Sequence, residues 1–189
     1  MTETAHRLRM MAIRSANTMP GQGKPIHYSD EWFTPAHIPA SLGEFDLDPC
    51  AGPSNHARRN IRLPECGLSI PWEGRVWLNP PYSNVHEWLA RLIEHGQGTA
   101  LVNARPETLW FQKAVSTAKA VFWPRGRINF IRPDGKPTHP PVGSCLIAYG
   151  DDAEALAACT LPGRLMWLSP SPSLPLSQSR SPHPPRPRR

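Results

Sequence analysis

The clearest periodicity in the chain lies between Asn84 and Gly96. Val85, Trp88, Leu89, Leu92 and Ile93 recur at the three- and four-residue spacing that lines one face of a helix. Asn84 stands where an N-cap is wanted, with Glu87 three residues on, and Gly96 is a suitable stop. A second helical face, made of Trp110, Phe111, Ala114, Val115 and Ala118, follows Pro106, a residue suited to a first helical turn. Short apolar runs alternate with these helices and predict strands over residues 45–48, 75–78, 99–103, 120–123, 127–131 and 144–149. The last two are joined by a Pro/Gly-rich loop with no helix between them, which predicts an antiparallel hairpin at one end of the sheet. Strands alternating with helices otherwise predict a mostly parallel sheet covered on both faces, a three-layer α/β/α domain.

The pattern fails at both ends. Residues 1–28 hold no sustained periodicity and contain Pro20-Gly21, Gly23 and Pro25, as a flexible arm does. Residues 169–189 are dominated by Ser, Pro and Arg, a composition with too little apolar surface to offset its ordering entropy, and are expected to be disordered. One domain over residues 29–168 remains. Of the 189 residues, 39% are hydrophobic, enough for a core, and seven of the 24 prolines fall in the tail. A net charge of +6 and a pI near 9.5 favour an anionic partner such as nucleic acid. Cys50, Cys66, Cys145 and Cys159 are too scattered for a disulfide framework or zinc site, and read as reduced cytosolic thiols. Neither a signal peptide nor an apolar run of membrane-spanning length is visible, so the expectation is a soluble intracellular protein, without a metal.

The sharpest chemical signal is Asn79-Pro80-Pro81-Tyr82, set between a predicted strand and a predicted helix. In an open α/β sheet that is the carboxyl end of a strand, where ligands bind. Two prolines hold the backbone extended and remove donors, so carbonyl oxygens can face a pocket. The Asn79 amide oxygen and the Pro80 carbonyl then make two acceptors for one NH2 group, turning its lone pair toward an electrophile. Tyr82 offers a face on which an extruded base stacks. By itself the string is also what a rigid strand-to-helix turn looks like.

A second signal runs from Asp46 to Pro53. Asp48 closes a predicted strand, and Pro49, Cys50, Ala51 and Gly52 follow, a turn of small residues that lets a cofactor approach the backbone while the carboxylate accepts from an ammonium. The stretch resembles the D-P-F-x-G-x-G loop of S-adenosylmethionine enzymes, with Ser54 in place of the second glycine. A third is Asp30-Glu31-Trp32-Phe33-Thr34-Pro35, in which Thr34 is expected to cap a helix whose N-terminus receives the cofactor carboxylate; Trp32 and Phe33 serve equally as core anchors. Arg58, Arg59, Arg62, Arg125 and Arg127 are candidate phosphate contacts or solvated charges. His86 and His95 are expected to face water.

The order of these pieces resembles the phage-type DNA N6-adenine methyltransferase family (Dam-type). It runs Trp-Phe-Thr-Pro, Asp-Pro-Cys-Ala-Gly, Gly67-Leu68 with Pro71-Trp72, and Trp77-Leu78-Asn79-Pro80-Pro81-Tyr82. It continues through Ala104-Arg105-Pro106 with Glu107-Thr108-Leu109-Trp110-Phe111, and Gly126-Arg127-Ile128-Asn129-Phe130, to Gly143-Ser144-Cys145. The resemblance implies a Rossmann-like methyltransferase fold, S-adenosylmethionine as cofactor, double-stranded DNA as partner and N6-methyladenine as product. It implies that Asn79, Pro80, Pro81 and Tyr82 hold a flipped adenine, and that Thr34 and residues 48–52 line the cofactor, with Glu65 toward its ribose. A monomer in the cytoplasm of a bacterial host, encoded by a phage or prophage, is the expected setting. The acceptor geometry alone serves any planar amino group, so adenine in RNA or a protein glutamine remains open, as does an inactive nucleic-acid-binding module with this fold.

Overall fold

The structure, a computed structural model, describes residues 32–132 and 135–168. The arm over 1–28 and the tail over 169–189 lie outside the described residues. The elements are α1 (His37–Ala40), β1 (Leu47–Asp48), β2 (Arg59–Asn60), β3 (Val76–Leu78), α2 (Val85–His95), β4 (Gly98–Asn103) and α3 (Leu109–Thr117), followed by β5 (Ala120–Pro124), β6 (Phe130–Ile131), β7 (Pro137–Thr138), β8 (Ser144–Tyr149), α4 (Asp152–Ala158) and β9 (Gly163–Trp167).

Seven strands form the main sheet in the order β2-β1-β3-β4-β8-β5-β9. Strands β1 to β5 point the same way, and β8 and β9 run against them. The sheet is thus mixed and mostly parallel, with apolar side chains on both faces. Val76, Leu78, Ala100, Val102, Val121, Cys145 and Ile147 belong to one core cluster with Trp88, Leu89 and Leu92 of α2 and Phe111 and Ala114 of α3. The residues between them, Trp77, Leu101, Ala120, Phe122, Leu146 and Ala148, belong to a second cluster with Ile38 of α1 and Ala153 and Leu156 of α4. Strict alternation between two apolar clusters is what a strand buried on both faces must show. It explains why these strands read as continuous apolar runs.

Helix α2 follows its sequence closely. It has Asn84 at the N-cap position, and Gly96 closes it in the left-handed region at φ 78°, its N–H bonded to the Leu92 carbonyl. The Asn84 side chain does not cap the backbone; its Oδ1 accepts from Trp88 Nε1 at 3.2 Å. Pro106 precedes α3 by a turn, and the N-cap position there is Thr108.

Two expectations are corrected. The predicted hairpin between the 127–131 and 144–149 runs does not form. Phe130–Ile131 pairs with Pro137–Thr138 in a separate two-stranded sheet, whereas Ser144–Tyr149 inserts between β4 and β5, antiparallel to both. The physical reason is burial: β8 is apolar toward both faces and needs a neighbour on each edge, which a terminal hairpin does not supply. The reversed strand at the sheet's end is instead β9. The second correction is α1, a single turn starting at His37 with Ala36 at its N-cap, so Thr34 caps no helix.

Candidate active site

After β1 the chain moves to β2 on one side, then returns to β3 on the other side of β1. That reversal of strand order falls at β1 and β3, whose carboxyl ends are the position where ligands bind in open α/β sheets. Asp48 ends β1 and Asn79 follows β3, and a thiol joins the loops, Cys50 Sγ–H donating to the Asn79 carbonyl at 3.2 Å.

The loop after β1 is built without a helix. Ile61 N–H donates to the Asp48 carbonyl at 2.8 Å and Ala51 N–H to the Ile61 carbonyl at 2.9 Å, so the chain folds back directly beside β1. Arg62 fastens this loop, Nε donating to the Gly52 carbonyl at 2.6 Å and Nη2 to the Ser54 carbonyl and Asn55 Oδ1 at 3.1 and 2.6 Å. Those donors face the protein, an internal role its sequence position does not reveal. Gly67 sits so close to the loop that an added Cβ would lie 1.8 Å from the Pro49 carbonyl oxygen. Its carbonyl receives the Trp72 indole N–H at 2.7 Å, which accounts for the Gly67-Leu68 and Pro71-Trp72 pieces of the pattern.

The segment 32–34 crosses this edge. Asn79 Nδ2 donates to the Trp32 carbonyl at 2.6 Å, committing the NH2 half of the amide to the protein and leaving its oxygen half to accept from elsewhere. Phe33 bridges to Ile131, and Trp32 packs edge-on against Phe130. The Phe33 ring also fills the space over Gly52, 2.6 Å from where a Cβ would stand, so the bare face of Gly52 meets an aromatic ring rather than an open cradle. Thr34 is 2% exposed, and its Oγ1 has no partner among the described residues.

Asp48 is 3% exposed. Burial pushes its carboxyl from 3.8 up to about 7, opposed by the Cys50 N–H it accepts and by the charge of Arg62. Burial also pushes the Cys50 thiol well up, with the Asp48 charge adding to it, so Cys50 remains a protonated donor. Pro49 and Pro80 are buried, and Ala51, Pro81 and Tyr82 are half-buried.

The remaining candidates are dispersed. Glu65, five residues past β2, is exposed and pairs with Arg59 at 3.5 Å. Arg58 stands at the opposite, amino-terminal edge of the sheet, within 2.6 Å of Glu44 and 3.6 Å of Asp46. Arg125 and Arg127 follow β5 and are exposed at the same edge as Asn79, beside a shallow cleft of about 160 Å³ shared with His37 and Pro162. Arg127 Nη1 donates to the Pro140 carbonyl at 2.5 Å. His95, expected in water, lies half-buried with Nε2 2.8 Å from the Gly74 carbonyl and its ring edge-on to Trp72. No group of three or more His, Cys, Asp or Glu among the described residues is arranged to hold a metal. No helix among them is long and apolar enough to cross a membrane.

The structure is thus a mostly parallel α/β sheet with an acidic loop and an Asn-Pro-Pro-Tyr loop at the carboxyl ends of the strands that flank its switch point. Comparison with known proteins makes this specific. The family described as DNA N-6-adenine-methyltransferase (Dam) matches residues 23–147, and the chain belongs to that family. It is 34% identical over 114 residues to the DNA N-6-adenine-methyltransferase of Haemophilus phage HP1 (strain HP1c1), covering 56% of this chain and 61% of the relative. It is 31% identical over 120 residues to the enzyme of the same name from Escherichia phage T1, covering 58% of this chain and 50% of that one. The matched region thus spans roughly half to three-fifths of these relatives' length. No solved structure matches the chain.

Proposed function

We propose that this chain transfers a methyl group from S-adenosylmethionine to N6 of adenine in double-stranded DNA, in the cytoplasm of a phage host and on a Rossmann-like methyltransferase sheet. The observation that carries the reading is the Asn79 amide, held by the Trp32 carbonyl so that its oxygen is presented beside the buried Pro80. Membership of the family and the names of the two phage relatives support the choice of DNA adenine over other amino groups.

The residues present fit the cofactor. A buried carboxyl with its ionisation pushed up gains most from an ammonium partner, as the amino-acid end of S-adenosylmethionine provides. The orphaned Thr34 hydroxyl, next to the Phe33 that covers Gly52, is a donor suited to its carboxylate. Backbone from Pro49 to Ala51 would line it, with Gly52 set back behind Phe33, and Glu65 beyond β2 is the group toward its ribose. When bound, the cofactor supplies a methyl group on a sulfonium, already an activated electrophile that leaves as a neutral thioether.

The protein's part is position. Asn79 Oδ1 and the Pro80 carbonyl accept the two N6 protons, drawing the nitrogen lone pair out of the ring and toward the methyl carbon. As the C–N bond forms, N6 becomes cationic and sheds one proton to water through these acceptors. Tyr82 stacks on the adenine, which must leave the duplex because N6 is paired inside it. Two preorganised acceptors and a fixed approach supply the acceleration. Arg125 and Arg127, at the same sheet edge, contact phosphates; Arg58 and Arg59 share their charge with carboxylates and contribute less.

Incubation with labelled S-adenosylmethionine and unmethylated DNA, RNA or protein, followed by nucleoside analysis, tests this. Label is expected in N6-methyladenine of DNA, and Asn79→Ala is expected to lower kcat by about 10² to 10³ while binding the cofactor normally. Label in RNA or protein alone would overturn the assignment.

A further inference from the structure

The carboxyl edge of the sheet holds a second polar pair that the acceptor loop does not use. Asn103 closes β4 and Ser144 opens β8, and the two stand directly opposite each other in the antiparallel register. Asn103 Oδ1 and Ser144 Oγ are both buried, and neither has a hydrogen-bond partner among the described residues. Buried polar atoms are nearly always paired, because an unmade bond forfeits the hydration it replaced. Two orphans on facing residues mark a place where something else completes the bonds.

Their position says what. Val102 and Cys145 belong to the cluster under α2 and α3, so Asn103 and Ser144 project to the opposite face of the sheet. Asn79 follows Leu78 of that same cluster and so projects to the same face as this pair. The Leu78–Ala100 register puts Asn103 one strand over and two residues beyond the level of Asn79, about 8 Å away by strand spacing. A purine spans that gap. The Asp48 loop is two strands away from β4, with β3 and its acceptor loop between them, which separates the pair from Asp48 and the residues after it. A hydroxyl and a carboxamide NH2 can each donate, the complement of the ring-nitrogen acceptors that flank the amino group held by Asn79 and Pro80.

We propose that Asn103 and Ser144 form the far wall of the target-base pocket, with the Ser144 hydroxyl donating to a ring nitrogen of the flipped adenine. The inference rests on the adenine methyltransferase reading and deepens it, by making the site select a purine edge as well as an amino group. Ser144→Ala removes an atom that bonds nothing among the described residues, so the variant is expected to fold with a thermal midpoint at or above that of the parent. Its thermal stabilisation by S-adenosylmethionine is unchanged. Its kcat/KM for DNA falls about tenfold, the usual range for one neutral hydrogen bond, and Asn103→Ala repeats the test from the other strand.

The specific readout uses duplexes carrying the chain's own methylation site with 1-deazaadenine or 7-deazaadenine at the target. The Ser144→Ala penalty disappears on whichever analogue lacks the contacted nitrogen. Parent-like kcat/KM in both variants, or an equal penalty on adenine and on both analogues, overturns the wall; a lowered midpoint with unchanged kcat/KM assigns the pair to a water-bridged structural role and overturns it as well. Failure of the parent chain to methylate DNA is a different result and defeats the underlying reading instead.

Discussion

Asp48 is a carboxyl whose burial sets its ionisation against the fold. Its carboxyl is buried beside a backbone N–H and within reach of the Arg62 charge, yet desolvation dominates and lifts it to about 7. A carboxyl raised on folding keeps its proton longer than in the unfolded chain. Its contribution to stability is therefore complete below about pH 4 and is lost as the pH rises through 7. Urea titrations of the parent and of Asp48→Asn across pH 4 to 8 check this: the parent is expected to lose stability relative to the variant over that window. The variant, which has no charge to offer an ammonium, is expected to bind S-adenosylmethionine at least tenfold more weakly at pH 8. Asn79 was legible by its motif, but the side chain's orientation was not. The Trp32 carbonyl that turns its amide lies 47 residues away in sequence.

Among the elements, the short turn at Gly67–Ser69 packs directly on the loop after β1. It packs Gly67 onto the Pro49 carbonyl, and the Trp72 indole ties its own carbonyl down. Gly67→Ala drives a methyl group into backbone that has no free rotamer to yield. A loss of about 2 kcal/mol or more is expected by denaturant midpoint, within the range for overpacking a tight contact. Because Pro49 lies between Asp48 and Cys50, weaker S-adenosylmethionine binding is expected alongside it, read by titration under conditions where the variant is folded. Helices α2 and α3 and most strands were legible because each carries its own periodicity. Strands β2, β7 and β9 and helix α4 were not: Arg59–Asn60 and Pro137–Thr138 are too short to show alternation, and Gly163–Trp167 is exposed along much of its length.

At the scale of the whole molecule, the two edges of the sheet differ: the carboxyl edge holds the proposed site and the amino edge a buried ion-pair network. At the amino-terminal edge, Asp152 is fully buried and gathers Arg75 Nε at 2.6 Å, Thr99 Oγ1 at 2.9 Å and Gln97 Nε2 at 3.3 Å. Arg75 also donates to the Leu42 and Glu44 carbonyls, tying the start of β3 to α4 and to the segment before β1. Asp152→Ala leaves that guanidinium without its carboxylate, and a loss of about 3 kcal/mol is expected from denaturation curves. The network lies across the sheet from Asn79, so kcat per folded molecule is expected to stay at the parent value, read at a temperature well below the variant's midpoint.

The division between sequence and tertiary structure follows the range of the interactions involved. Local patterns determined the helical face of α2, the apolar strands and the Asn79 to Tyr82 turn, because each is set by residues within a few positions of one another. The order of these pieces along the chain was enough to bring the family into view. Only the fold decided that β8 enters the sheet between β4 and β5, and that Arg62 faces its own loop. It alone set Phe33 over Gly52 and left Asn103 Oδ1 and Ser144 Oγ facing each other without partners among the described residues. Those outcomes depend on which distant surfaces become neighbours when two apolar faces are buried at once, and no window of sequence contains both sides of such a contact.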